Sequence, residues 1–415
     1  MLEEKGISRV VVAGVLVVLI IATAGIYLLT RPSENKTGAK VVFWYSYLVD
    51  EETITLNAIQ NSFTQKYPDI TVESLNVTDM RTRLLAAIPA GKGPDVFTWA
   101  HDWTGEFADA GYILPLDNFL TPEIINLFTP ESIAACTYDN KIWGLPYAAE
   151  TWALIYNKAL ISHPPETMDE FIAMMEDWDT SENTYGLGYP TNTGGVAPWI
   201  YAFGGWTWSD ENKTLGVNSA GTIAGVRYWI DTFKRFMPID LTRTVQTAVF
   251  LENMAPFLID GPWVIPSVVS AGIDYGVVPL PKINELDNKM PVPFTGFKMV
   301  WLASAAEKKE NALTFIKWFC TDNGHILERA IINLIPVLKE TLALEEVQAN
   351  PTISGFSAAV AYGTPYPNGK QMGLVWLPFD TALQNAFLDN TKLVQYLNDA
   401  QAEIEADIAT AFPGG

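Results

Sequence analysis

Between Trp99 and Trp103 the chain places two indoles, an imidazole and a carboxylate: Trp99-Ala-His101-Asp102-Trp103. Indoles supply large flat apolar surface, and a carboxylate accepts charge-assisted hydrogen bonds. A Gly-Lys-Gly-Pro turn (Gly91 to Pro94) leads into this group through a short β-type run, Asp95 to Trp99. Proline presets the turn, and the β-branched and aromatic residues suit a buried strand. In open α/β sheets, ligands sit just outside the carboxyl ends of strands, so the cluster reads as a ligand-binding edge. The structural alternative is that Asp102 caps the next helix and that the indoles belong to the core.

Other chemistry has little support. No Gly-x-Ser-x-Gly or Cys-His nucleophile pattern and no Gly-x-x-x-x-Gly-Lys-Ser/Thr phosphate loop is present. His101, His163 and His325 lack metal-ligand spacing, and no cofactor motif appears. Cys136 and Cys320 make neither a disulfide scaffold nor a zinc site. Isolated thiols of this kind read as small buried hydrophobes, with a single bridge as the alternative.

Composition narrows the class. The 415 residues suffice for two domains, and 49% hydrophobic residues with 14 Trp indicate folded cores rich in aromatic surface. Twenty-six Lys and Arg against 47 Asp and Glu leave a net charge of −21, which repels nucleic acid. The same balance disfavours spreading over anionic lipid.

Val10 to Leu29 is an uncharged apolar run whose helical length, ~30 Å, matches a bilayer core. A cleaved signal would be processed at Ala22-Thr23-Ala24, whereas continuation through Ile26 to Leu29 favours a retained membrane anchor. Residues 31–40 read as a polar tether. Beyond it the pattern alternates: strand Val41 to Tyr45, helix Glu52 to Tyr67 with Ile54, Ala58, Ile59 and Phe63 on or near one face, and strand Ile70 to Leu75. Helix Asp79 to Ile88 and the Asp95 strand follow. Strand-helix alternation of this kind predicts a parallel α/β lobe. Further helices are expected over Met168 to Trp178, Pro198 to Gly205, Asn311 to Cys320 and Ile326 to Leu334.

Gly-Pro-Asp-Val-Phe-Thr-Trp-Ala-His-Asp closely resembles the segment of maltose/maltodextrin-binding proteins in which a Trp and an Asp contact the sugar. These proteins are the solute-binding components of ABC importers. Three more stretches fall in the same order: Gly-Leu-Pro-Tyr-Ala-Ala-Glu-Thr-Trp (Gly144 to Trp152), Ile-Asp-Gly-Pro-Trp (Ile259 to Trp263) and Gln-Met-Gly-Leu-Val-Trp (Gln371 to Trp376). The resemblance covers nearly everything after Lys40. It implies an α/β, two-lobed periplasmic-binding-protein-like fold (type II) preceded by a transmembrane or signal helix over 1–30 and a linker over 31–40. One lobe would hold 41–149 plus 297–343, the other 153–293 plus 350–415. Crossings would lie near Ala148 to Trp152, Pro293 to Lys298 and Leu344 to Asn350. It also implies a monomer, outside the membrane, that hands its oligosaccharide to ABC permease subunits.

The resemblance implies a site as well. Sugars pack their C–H patches on aromatic faces and offer hydroxyl edges to carboxylates, so Trp99, Trp263 and Trp376 would be platforms, with Asp102 and Glu150 accepting hydroxyl protons. Trp103, Trp152, Gly296, Phe297, Ser46 and Arg81 are further ligand-binding candidates, and Trp199 and Tyr201 are weaker ones. The sequence departs from the family in four places. Ser46 begins a Ser-Tyr-Leu-Val run where the family has Asp-Lys, Arg81 replaces a sugar-contacting Glu, Asn192 to Val196 lacks the family's aromatics, and Asp380 replaces an Arg. Two rival readings stand beside this one. A secreted carbohydrate hydrolase would use Asp102 and Glu150 as acid and base, and a sensory receptor would use the same fold.

Overall fold

The computed structural model describes residues 39–46, 50–178, 184–322 and 334–413. The expected anchor, the tether up to residue 38 and the helix expected over Ile326 to Leu334 (apart from Leu334) lie outside them. No helix among the described residues is long and apolar enough to cross a membrane.

The chain begins with β1 (Ala39–Tyr45), α1 (Asp50–Lys66), β2 (Ile70–Asn76), α2 (Met80–Ala87) and β3 (Val96–Ala100). Strands β1, β2 and β3 are parallel, as the alternation predicts. In β1, Val41, Phe43 and Tyr45 are buried and alternate with half-exposed neighbours, the period of a strand covered more heavily on one face. That face meets Leu56, Ile59 and Phe63 of α1, spaced for a single helical stripe. Leu56, not the exposed Ala58, completes the stripe. On the other face of the sheet Phe97 packs on Phe107, Trp301 and the α2 residues Met80 and Leu84.

Next come β4 (Gly144–Thr151), β5 (Ala153–Asn157), α3 (Met168–Trp178), β6 (Leu187–Gly188), α4 (Thr193–Ala202), α5 (Ala220–Phe233), α6 (Arg243–Leu251), β7 (Phe257–Asp260) and β8 (Tyr275–Val278). A long strand follows, β9 (Phe294–Leu302), then α7 (Lys309–Lys317), α8 (Pro351–Val360), β10 (Thr364–Pro365), α9 (Met372–Leu388) and α10 (Leu393–Ala411). The first sheet is not wholly parallel. β9 returns from late in the chain and runs antiparallel to both β3 and β4, with β10 beside its first residues. The second sheet has the order β8-β5-β7-β6, with β5 antiparallel to both neighbours.

Thr151 ends a strand of the first sheet, and Ala153 begins one of the second. Only Trp152 stands between them, so β4 and β5 carry the chain from one sheet to the other at this residue. The first residues of β9 lie next to that crossing: Thr295 pairs with Thr151, and Gly296 with Glu150. The helix expected from Pro198 begins earlier, at Thr193, because Asn192 caps it by accepting the Gly195 N–H at 2.8 Å. Cys136 and Cys320 are both buried, the packing role expected of isolated thiols.

Candidate functional site

A cavity of about 460 Å3 lies where the two sheets face each other, a size typical of small-ligand sites. β3 delivers its first wall. Trp99 is the penultimate residue of β3, and the single turn of 3-10 helix at His101–Trp103 follows. The turn brings Trp103 under Trp99, and the indoles stack with 4.7 Å between centroids and 14° between planes. Trp103 itself packs edge-on to Phe107, which fixes the pair from below.

Asp102 also lines the cavity, with its Oδ1 shut away from solvent and no partner among the described residues. Burial, followed by repulsion from Glu150, lifts its pKa from the ordinary 3.8 to about 7. The Trp376 indole and the charge of Arg81 oppose that rise only in part. Glu150, near the end of β4, lines the cavity beside Lys298, whose Nζ lies 3.6 Å from its carboxylate.

The second wall comes from the Ile-Asp-Gly-Pro-Trp turn after β7. Asp260 is fully buried and accepts the Trp263 indole N–H at 2.7 Å and the Gly261 N–H at 2.8 Å. It is also ion-paired with Arg243. Burial raises its pKa, and the Arg243 charge opposes the rise. A Cβ at Gly261 would fall 2.3 Å from Trp263 Cη2, so only glycine lets the indole fold back over the turn. Trp152 meets Trp263 edge-on at 5.5 Å. The Arg243 guanidinium lies 5.4 Å from the Trp263 ring centre and 5.8 Å from that of Trp152, a cation–π arrangement.

Trp376 on α9 supplies a further indole. Tyr366 and Phe294 brace it edge-on at 5.7 Å and 6.2 Å. Ser46, just after β1, also lines the cavity.

Eight of the eleven residues expected from the sequence line this one cavity: Ser46, Trp99, Asp102, Trp103, Glu150, Trp152, Trp263 and Trp376. Three stand outside its lining. Arg81 is engaged by Glu106 in two hydrogen bonds of 3.0 and 2.6 Å, and it reaches the site only through its charge on Asp102. Phe297 is buried against the His101 ring. Gly296 contributes room: a Cβ there would lie 2.7 Å from Tyr366 and 2.8 Å from Glu150 Cγ. Of the weaker candidates, Trp199 is fully buried and donates to the Tyr189 hydroxyl, a core role. Tyr201 packs on Phe294 and lines a second cavity instead.

Tyr147, Arg243, Lys298 and Tyr366 line the cavity without having been singled out from sequence. A motif did exist near Lys298, in the Phe-Thr-Gly-Phe crossing. Nothing local marks Arg243 or Tyr366.

At the Gly-rich stretch a helix terminus meets the cavity. Asn192, Thr193 and Gly194 at the start of α4 line the cavity. Gly194 and Gly195 lie flat on Trp152, their would-be Cβ atoms 3.2 and 3.3 Å from its ring atoms. Asp380 accepts the Thr193 N–H at 2.5 Å and its hydroxyl at 2.7 Å. A carboxylate there complements the positive end of the helix. Asp380 thus anchors this wall.

A two-sheet protein whose chain crosses between sheets beside an aromatic, acid-edged cavity has the architecture of a binding protein that encloses its ligand. The comparisons agree. Residues 58–355 match the bacterial extracellular solute-binding protein family. The chain is 36% identical over 352 residues to a maltotriose-binding protein of Pyrococcus abyssi, covering 84% of this chain and 77% of the relative. It is 28% identical over 355 residues to a galactooligosaccharide-binding protein of Bacillus subtilis, covering 79% and 80%. A cyclo/maltodextrin-binding protein solved with maltotetraose superposes with a TM-score of 0.78 at 28% identity, over 92% of this chain and 99% of that one. The chain belongs to the bacterial extracellular solute-binding protein family. It is a binding protein and not an enzyme, which sets aside the hydrolase reading of Asp102 and Glu150.

Proposed function

We propose that the chain binds a malto-oligosaccharide in the cavity between its two sheets and delivers it to an ABC permease. The observation that carries this reading is the convergence of Trp99, Trp263 and Trp376 with Asp102 and Glu150 on one cavity. Indole faces match the C–H faces of glucose rings, and the carboxylates match their hydroxyl edges. Asp102 Oδ1 is a buried acceptor with no partner among the described residues. Such an orphan costs about 1–3 kcal/mol, and a ligand hydroxyl that reaches it would relieve that cost. The maltotriose-binding and maltotetraose-bound relatives support the α-glucan choice.

The lobes would be 41–149 plus 297–343 and 153–293 plus 350–415, closing about the crossings when ligand binds. The protein would act as a monomer held to the outer face of the membrane by Val10 to Leu29, with no cofactor. Isothermal calorimetry with maltotriose tests the reading. Saturable binding at one site per chain is expected, and heat no greater than dilution for maltose, maltotriose and longer maltodextrins would refute it.

A further inference from the structure

His101 belongs to the same turn as Asp102 but serves the opposite side of it. Asp102 faces the cavity, whereas His101 is fully buried behind it, between β9 and the strap formed by Thr364 to Asn368. Both ring nitrogens are engaged. Nδ1 accepts the Phe297 backbone N–H at 3.1 Å, so the ring proton resides on Nε2. Nε2 donates to the Tyr366 carbonyl, also at 3.1 Å. One neutral imidazole therefore links β9 to the strap that carries Tyr366. Its ring centre lies 5.8 Å from that of Phe297 and 5.7 Å from that of Tyr366.

Tyr366 is the residue this link positions. Its ring lines the ligand cavity, leans on Phe294 at 4.8 Å and braces Trp376 at 5.7 Å. It occupies the space that a side chain at Gly296 would take, within 2.7 Å of the would-be Cβ. The strap is held at its ends, where Thr364 N–H reaches Pro293 O at 2.9 Å and Asn368 O accepts the Gly105 N–H at 2.8 Å, and more loosely between them. Tyr366 N–H reaches Thr295 O only at 3.4 Å, so the His101 bond at 3.1 Å is the shorter restraint.

We propose that His101 is a positioning residue for the ligand: it holds Tyr366, and through it Trp376, in the orientation that packs against a bound saccharide. This rests on the saccharide-binding reading above. Asn and Gln variants separate the two halves of the link. Asn places its carbonyl near the Nδ1 position and keeps the Phe297 bond but releases the strap. Gln places its amide near Nε2 and keeps the donor to Tyr366.

The test is calorimetry with maltotriose on the whole protein, together with crystal structures of the variants. His101→Asn should lose about tenfold in affinity, and His101→Gln should stay within about threefold of the parent. In a Tyr366→Ala background, His101→Asn should cause no further loss, because its effect passes through the missing ring. The crystal structures should show the Tyr366 ring displaced in His101→Asn and unmoved in His101→Gln. A Tyr366 ring left in place in His101→Asn, or losses that multiply in the double variant, would overturn the proposal. If the parent binds no saccharide, the functional reading falls, and the ring position in the crystals still decides the role of His101. If His101→Asn does not fold, a His101→Gln variant with a displaced Tyr366 ring overturns it equally.

Discussion

Asp260 accepts the indole N–H of Trp263 at 2.7 Å while its other oxygen is ion-paired with Arg243. One buried carboxylate thereby fixes both an aromatic platform and a cation at the mouth of the same cavity. Trp263 is held in a single orientation before any ligand arrives, and such preorganisation reduces the ordering cost of binding.

Trp263→Ala should weaken saccharide binding by about tenfold or more without unfolding the protein. The ring is half-buried at the cavity wall, so its loss removes contact surface with little effect on the core. Calorimetry on a variant with a cooperative melt checks this. Parent-like affinity in that variant would remove Trp263 from the site.

Asp102 gives the ligand-free protein a pH signature. Its folded pKa, about 7, stands above the ordinary 3.8, so the folded state holds this proton more tightly than the unfolded chain. The penalty for its charge is absent below the unfolded value and grows as pH rises from about 4 to about 7. Asp102→Asn should therefore match the parent melting temperature near pH 4 and exceed it by about 2 °C or more at pH 8. Melting curves across that range provide the measurement. A constant offset between the two proteins would show that the Asp102 charge is not penalised.

Gly296→Ala should damage binding from outside the cavity lining. The added Cβ meets Tyr366 and Glu150 at 2.7 and 2.8 Å, and both line the site. Overpacking of this kind costs about 1–3 kcal/mol. The variant should also bind maltotriose about fivefold more weakly or worse. A variant that melts and binds as the parent does would mean that neither neighbour has to move.

Asp380→Ala should cost about 1 kcal/mol of stability, the usual worth of a carboxylate at a helix N-terminus. Because Thr193 and Gly194 line the cavity, affinity should fall with it. Denaturant titration and calorimetry on the same preparation separate the two effects. No change in either would show that α4 holds its own first turn.

What the sequence revealed follows from how local the signals are. β1, β2 and β3 with their two helices lie close together in the chain, and their periodicity was legible. The antiparallel pairing of β9 was not, since its partners β3 and β4 lie some two hundred and some one hundred and fifty residues earlier. A late antiparallel strand leaves no mark on the earlier ones. Trp99, Trp263 and Trp376 were legible because each sits in a distinctive motif. Tyr366 and Arg243 were not, because their roles arise from a strap and a helix that reach the cavity only after folding. The Gly-rich stretch at Asn192 read as a loss of contacts. Its glycines in fact let a helix terminus press against Trp152.

The most direct measurement is intrinsic Trp fluorescence of the protein titrated with maltose, trehalose, maltotriose and longer maltodextrins. Trp99, Trp152, Trp263 and Trp376 all line the cavity, so a bound sugar must change the surroundings of several indoles at once. The account predicts a saturable change with at least one of these sugars, lost or weakened in Trp263→Ala. No response to any of them would contradict the assignment of the cavity to α-glucosides.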